Sequence, residues 1–166
     1  YLRCRPGDEV GVELARQGIS WSTDALSCTR SHDVIFDHCS ASWAIDETMS
    51  FTYCDNITAQ WCFITESLMD STHSNGIHGY GGLISYMEDG KVSQHHNLWA
   101  FHTSRCPRPG STDDLTLPGL LYDFRNNVIY QGGRGYTADG KDKVRMNYIG
   151  NYVLKTRVFD VTSNAR

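Results

Sequence analysis

Segments of this chain repeat one another, and the length of the repeat limits what the chain can fold into. Asp24-Ala-Leu-Ser-Cys28 matches Glu47-Thr-Met-Ser-Phe51, and then Gly82-Leu-Ile-Ser-Tyr86. Ser27, Ser50 and Ser85 take the same place, and twelve residues after each comes Cys39, Cys62 or Asn97. Five residues before that column lie Val34, Ile57 and Val92. The column continues more loosely to Asn127 and Asn151, with steps of 23, 35, 30 and 24 residues. Between its members run short stretches rich in Val, Ile, Tyr, Phe and Thr, broken by Gly, Asn, Asp and Ser, which read as strands and turns. Only Asp8 to Arg16 has helical character, and Gly11 weakens it. Repeats of roughly 20 to 35 residues, with several short strands each and no helix, mark a β-solenoid.

The physics of such a fold explains the column. One coil cannot bury its own apolar face, but coils stacked about 4.8 Å apart bury a continuous core. Small or amide side chains at one repeated place suit an inward ladder, in which each Asn bonds its neighbours along the stack. The unequal steps mean that loops of different length leave the coil, the long ones at 65–81 and 103–118. Long loops on a rigid scaffold are where function concentrates. A β-sandwich would need hairpin turns between alternating strands, and Asn75-Gly76 lies in a polar loop without them.

Composition removes several classes of function. Net charge is −4 and the isoelectric point is near 5.9, with basic residues scattered until Arg105-Cys-Pro-Arg108. That speaks against nucleic acid as partner, which draws a basic face. No apolar run approaches the roughly 20 residues that span a bilayer, so no membrane partner is expected. Cysteines stand at 4, 28, 39, 54, 62 and 106 without a CxxC pair, which argues against a zinc ribbon. They read as small residues of a stacked core, with one disulfide open if the protein is secreted. His95, His96 and His102 invite a transition-metal reading. Adjacent strand residues point to opposite faces, however, so structural hydrogen bonding is expected of them instead. Trp43, Trp61 and Trp99 read as stacked core or turn residues.

Four groups of residues resemble pectate lyases of the polysaccharide lyase 1 type. They are Val34-Ile-Phe-Asp-His-Cys-Ser40 with Ser42-Trp-Ala-Ile-Asp-Glu47, and Asp55-Asn-Ile-Thr-Ala-Gln-Trp61 with Ile64-Thr-Glu-Ser-Leu68. Then come His78-Gly-Tyr-Gly-Gly82, and His95-His-Asn-Leu98 through Arg105-Cys-Pro-Arg108 to Asn126-Asn-Val128. They occur in the family's order over residues 1 to 130. The resemblance implies an all-β, right-handed, single-stranded parallel β-helix. It implies one domain over 1–166, incomplete at both ends and part of a longer catalytic domain. It further implies Ca²⁺-assisted β-elimination on an acidic polysaccharide (polygalacturonate or pectin), in a monomeric enzyme that is secreted, periplasmic or on the cell surface.

The residues support this reading on their own terms. Asp24 and Glu47 each lie fifteen residues before their ladder position, in consecutive repeats. Stacking brings them about 4.8 Å apart, where two carboxylates repel. A hard divalent cation such as Ca²⁺, bound through six to eight oxygens, relieves that repulsion. Asp46 adjoins them as a further ligand, and which of Asp46 and Glu47 binds stays open. Asp37 and His38 read as structural. Arg105 aligns with the arginine that the family uses as Brønsted base. An arginine base implies a nearby positive charge and activity rising above about pH 8. Arg108 suits a fork onto a uronate carboxylate. The family commonly has a substrate-binding lysine before its Gly-Leu strand; this chain has none there, and His78 and Tyr80 are the candidates to take its place.

Three other functions remain open on sequence alone. A pectin lyase cuts methyl-esterified chains, and Asp24 and Glu47 argue against it. A polygalacturonase-type hydrolase needs paired acids around a water, for which Asp113-Asp114 is the adjacent Asp pair. A non-catalytic carbohydrate-binding solenoid would need neither set of charges.

Overall fold

The computed structural model describes residues 2–3, 8–110, 116–138 and 143–155. The repeat folds as expected, with successive coils contributing strands to three parallel sheets. The first sheet holds β2 (Leu26–Thr29), β5 (Glu47–Thr52), β8 (Tyr80–Ser85) and β11 (Arg108–Pro109). The second holds β3 (His32–Asp37), β6 (Asp55–Gln60), β9 (Lys91–His95), β12 (Leu120–Arg125) and β14 (Val144–Ile149). The third holds β1 (Leu2–Arg3), β4 (Ser40–Ser42), β7 (Phe63–Thr65), β10 (Leu98–Ala100), β13 (Val128–Tyr130) and β15 (Tyr152–Leu154). The architecture is a parallel β-helix. The helix α1 spans Asp8–Arg16, as its sequence predicts. Among the described residues, no helix is long and apolar enough to cross a membrane.

The core is a set of side-chain columns along the stack. Ala41, Ile64, Trp99 and Ile129 follow one another on the third sheet, and Ile57, Val92 and Tyr122 on the second; all are buried. Gly82 stands in the first-sheet column beside Met49, and the Trp99 ring fills the space it leaves. A Cβ at Gly82 would lie 2.8 Å from the Met49 carbonyl and 2.9 Å from that ring. The five described cysteines are free thiols, all buried but Cys39.

The amide ladder forms at the predicted column. The Cys62 N–H donates to Asn97 Oδ1 at 2.9 Å. The Asn97 and Asn127 N–H groups each donate to the Oδ1 of the next Asn, Asn127 and Asn151, at 3.0 Å. Each Asn also donates Nδ2–H to a backbone carbonyl: Ala59, Gln94 or Phe124. Just before each ladder residue the chain turns through the left-handed region, at His38, Trp61, His96, Asn126 and Gly150. Four of these five are not glycine, and the rings of His38, Trp61 and His96 stack along the outside.

Two expectations are corrected here. Ser27 pairs with Ser50, but Ser50 then pairs with Leu83, and Ser85 pairs with Thr52. The reason is a longer turn between β8 and β9, which shifts the count by two residues while Ile57 and Val92 stay in register. His95 and His96 do not point to opposite faces either. His96 has left the strand for the left-handed turn, and the two Nδ1 atoms meet at 2.8 Å. His102 does behave structurally: it is buried and bonds Ser67 Oγ and the Ile64 carbonyl, and burial pushes its pKa down to about 4.

Candidate functional site

Successive coils bring charged residues to one end of the first sheet. Asp24 precedes β2, Glu47 opens β5, and Tyr80 opens β8 in register with Glu47. A backbone bridge from Tyr80 to Ser104 brings in the loop that carries Arg105. The Gly81 and Gly82 N–H groups donate to the Ser104 and Arg105 carbonyls, at 3.0 and 2.7 Å. The approach is close enough that a Cβ on Gly81 would lie 2.6 Å from the Arg105 carbonyl. So the glycine pair of the His78-Gly-Tyr-Gly-Gly82 segment lets the arginine loop dock.

Asp24, Asp46 and Glu47 each offer a carboxylate oxygen, and these oxygens lie within 4.8 Å of one another. Asp24 accepts the Glu47 N–H at 3.1 Å and the Ser50 hydroxyl. Burial pushes Asp24 up to about 6, helped by the Asp46 charge and opposed by Ser50 and Arg105. Glu47 is only 4% exposed and its charge is met by the Arg105 guanidinium. That guanidinium lies over the Tyr80 ring, 4.0 Å from its centroid, a cation–π contact. Burial and the neighbouring Arg108 lower the Arg105 pKa, while Asp46 and Asp24 raise it. Three acids facing one half-buried arginine leave excess negative charge, and an all-oxygen donor set fits a hard divalent cation.

The structure thus brings Asp24, Asp46, Glu47, Tyr80 and Arg105 together. Arg108 lies on β11 beside Leu83, close enough for its charge to act on Arg105. His78 borders the cluster, with Nε2 4.0 Å from Asp46 Oδ1 and its ring 4.8 Å from that of Tyr80. The Asp113-Asp114 pair lies outside the described residues.

Sequence reasoning missed two participants. Ser50 was read only as a repeat position, yet its hydroxyl serves Asp24. His73 carried no signal, because it lies in the loop between β7 and β8 where the repeat lapses. Its ring stacks on His78 at 3.6 Å, and its Nε2 lies 3.4 Å from Asp46 Oδ2. Asp46, His73 and His78 look like a metal triad by proximity. The rings are only 18° from parallel, however, and the in-plane lone pairs of two stacked rings do not converge on an ion about 2.1 Å from each nitrogen.

Comparison with known proteins fits this geometry. No family model matches the chain. It is 35% identical to a "Probable pectate lyase C" of Aspergillus flavus over 170 aligned positions, covering 100% of this chain and 34% of that protein. Proteins of the same name from Aspergillus terreus and Emericella nidulans are 36% and 33% identical over 95% of the chain. The chain spans about a third of the length of these curated relatives. Along its whole length the chain is thus similar in sequence to proteins named probable pectate lyase C, and its described residues wind as a parallel β-helix.

Proposed function

We propose that this chain carries the active site of a pectate lyase that cleaves de-esterified polygalacturonate by β-elimination. The supporting observation is the meeting of three carboxylates with one half-buried arginine, in a chain similar throughout to proteins named pectate lyase. Asp24, Asp46 and Glu47 are the residues to hold Ca²⁺. When bound, Ca²⁺ draws charge from the substrate carboxylate and so acidifies the neighbouring C5–H.

The chain's own residues do the rest. Arg105, in its neutral form, takes the C5 proton; the C5 electron pair forms the C4–C5 double bond, and the C4–O bond breaks with its electrons on the leaving oxygen. Tyr80 packs its ring against the guanidinium and so limits where it can swing. Arg108 forks onto a uronate carboxylate, and His78 lines the same subsite. Glu47 Oε1 pairs with the Arg105 guanidinium and so opposes its use as a base; a cation held by Glu47 would relieve that opposition.

One oxygen from each of Asp24, Asp46 and Glu47 lies within 4.8 Å of the others, close enough for the three to share one ion. The experiment is to incubate the full-length protein with polygalacturonate and follow both ultraviolet absorbance of unsaturated uronate and new reducing ends. Both are expected to rise together, and both to stop with EDTA. Reducing ends without the absorbance mean hydrolysis and overturn the proposal.

A further inference from the structure

The mechanism above uses Asp46 and leaves His73 without a role. His73 is buried, with 2% of its side chain exposed. Its Nδ1 accepts the Asn75 N–H at 3.0 Å. A neutral imidazole with an accepting Nδ1 carries its proton on Nε2. That buried N–H has no hydrogen-bond partner, and it stands 3.4 Å from Asp46 Oδ2. A buried donor left unmatched is costly, and the carboxylate is the acceptor in front of it. His78 is arranged the other way. Its Nδ1 lies 3.3 Å from the Gly76 carbonyl, which can only accept, so Nδ1 carries a proton, and its Nε2 stands farther from the carboxylate, 4.0 Å from Asp46 Oδ1. The nearer donor of the stacked pair is therefore the buried one of His73, and it faces Asp46 Oδ2.

We propose that His73 is a positioning residue for Asp46: its Nε2–H closes on the carboxylate and fixes the direction in which Asp46 meets Asp24 and Glu47. This deepens the reading of the three carboxylates as a cation site, and rests on it. Groups that orient a metal ligand from behind typically change metal affinity 10- to 100-fold, roughly, when removed.

The test has two arms on the full-length protein. In the first, Ca²⁺ binding is measured by calorimetry for the wild type, His73→Phe, which keeps a stacking ring, and His73→Gln, which restores a donor. His73→Phe is expected to bind about 10- to 100-fold more weakly, His73→Gln to recover most of the loss, and His73→Phe to change nothing further once Asp46→Asn is present. Equal affinity of His73→Phe and wild type, or full additivity with Asp46→Asn, overturns the proposal. In the second arm, [¹⁵N]histidine spectra of the cation-free wild type read the tautomer directly. An Nε2–H tautomer whose signal moves in Asp46→Asn supports the proposal, and an Nδ1–H tautomer overturns it. If the wild type takes no Ca²⁺, the cation reading itself falls, and the spectra alone decide the role of His73. They also decide it if His73→Phe does not fold.

Discussion

Asp24 makes the site sensitive to pH at the residue scale. Burial raises its pKa from 3.8 to about 6, so the folded chain holds this proton more tightly than the unfolded one does. Asp24 thus favours the folded state below pH 3.8, and loses that contribution as pH rises through about 6. A cation competes with the same proton. Ca²⁺ affinity is therefore expected to fall, by up to about tenfold per unit, as pH drops below about 6. Calorimetry across that range checks this, and Asp24→Asn should flatten the profile. Arg105 acts in the opposite direction. A base must be neutral, and burial with Arg108 lowers its pKa, so activity is expected to climb above about pH 8. A flat or acidic pH–rate profile would count against it. Arg105→Ala should reduce turnover by about 10²–10⁴-fold with an unchanged circular dichroism spectrum. Asp24 and Glu47 were legible in the sequence because both sit at one offset from the ladder. His73 was not, because a loop residue has no register to betray it.

At the scale of the element, the ladder and the turns behave differently. Asn97 was legible because an amide repeated at one place has a clear physical use: it accepts from Cys62 N–H and donates to the Ala59 carbonyl. Asn97→Ala leaves both buried groups unmatched and is expected to cost about 2–4 kcal/mol, read as a lower denaturation midpoint with unchanged slope. The left-handed turns at His38, Trp61 and His96 were not legible. That conformation costs ordinary residues about 1–2 kcal/mol each, so sequence rules look for Gly or Asn there. Here repetition offsets the cost, because every turn sits against the turn below it and the rings stack. The slip at Ser85 has a similar origin. Residue counting follows the chain, whereas register follows backbone bonds, and the longer turn after β8 separates the two. Gly82→Ala should destabilise by about 1–3 kcal/mol, since its Cβ would meet the Met49 carbonyl and the Trp99 ring.

For the whole molecule, the coil turns distance in sequence into proximity. Asp24 and Arg105 are far apart along the chain, yet both reach one end of the first sheet because whole coils lie between them. Rigid stacking also sets the carboxylates close together before any cation arrives, so the repulsion among them is built in and a divalent ion relieves it. A crystal of the full-length protein grown with Ca²⁺ and examined by anomalous scattering tests this most directly. The account predicts one strong peak among Asp24, Asp46 and Glu47, with carboxylate oxygens about 2.3–2.6 Å away and Arg105 released from Glu47. A cation bound elsewhere, with Glu47 still holding Arg105, would contradict it.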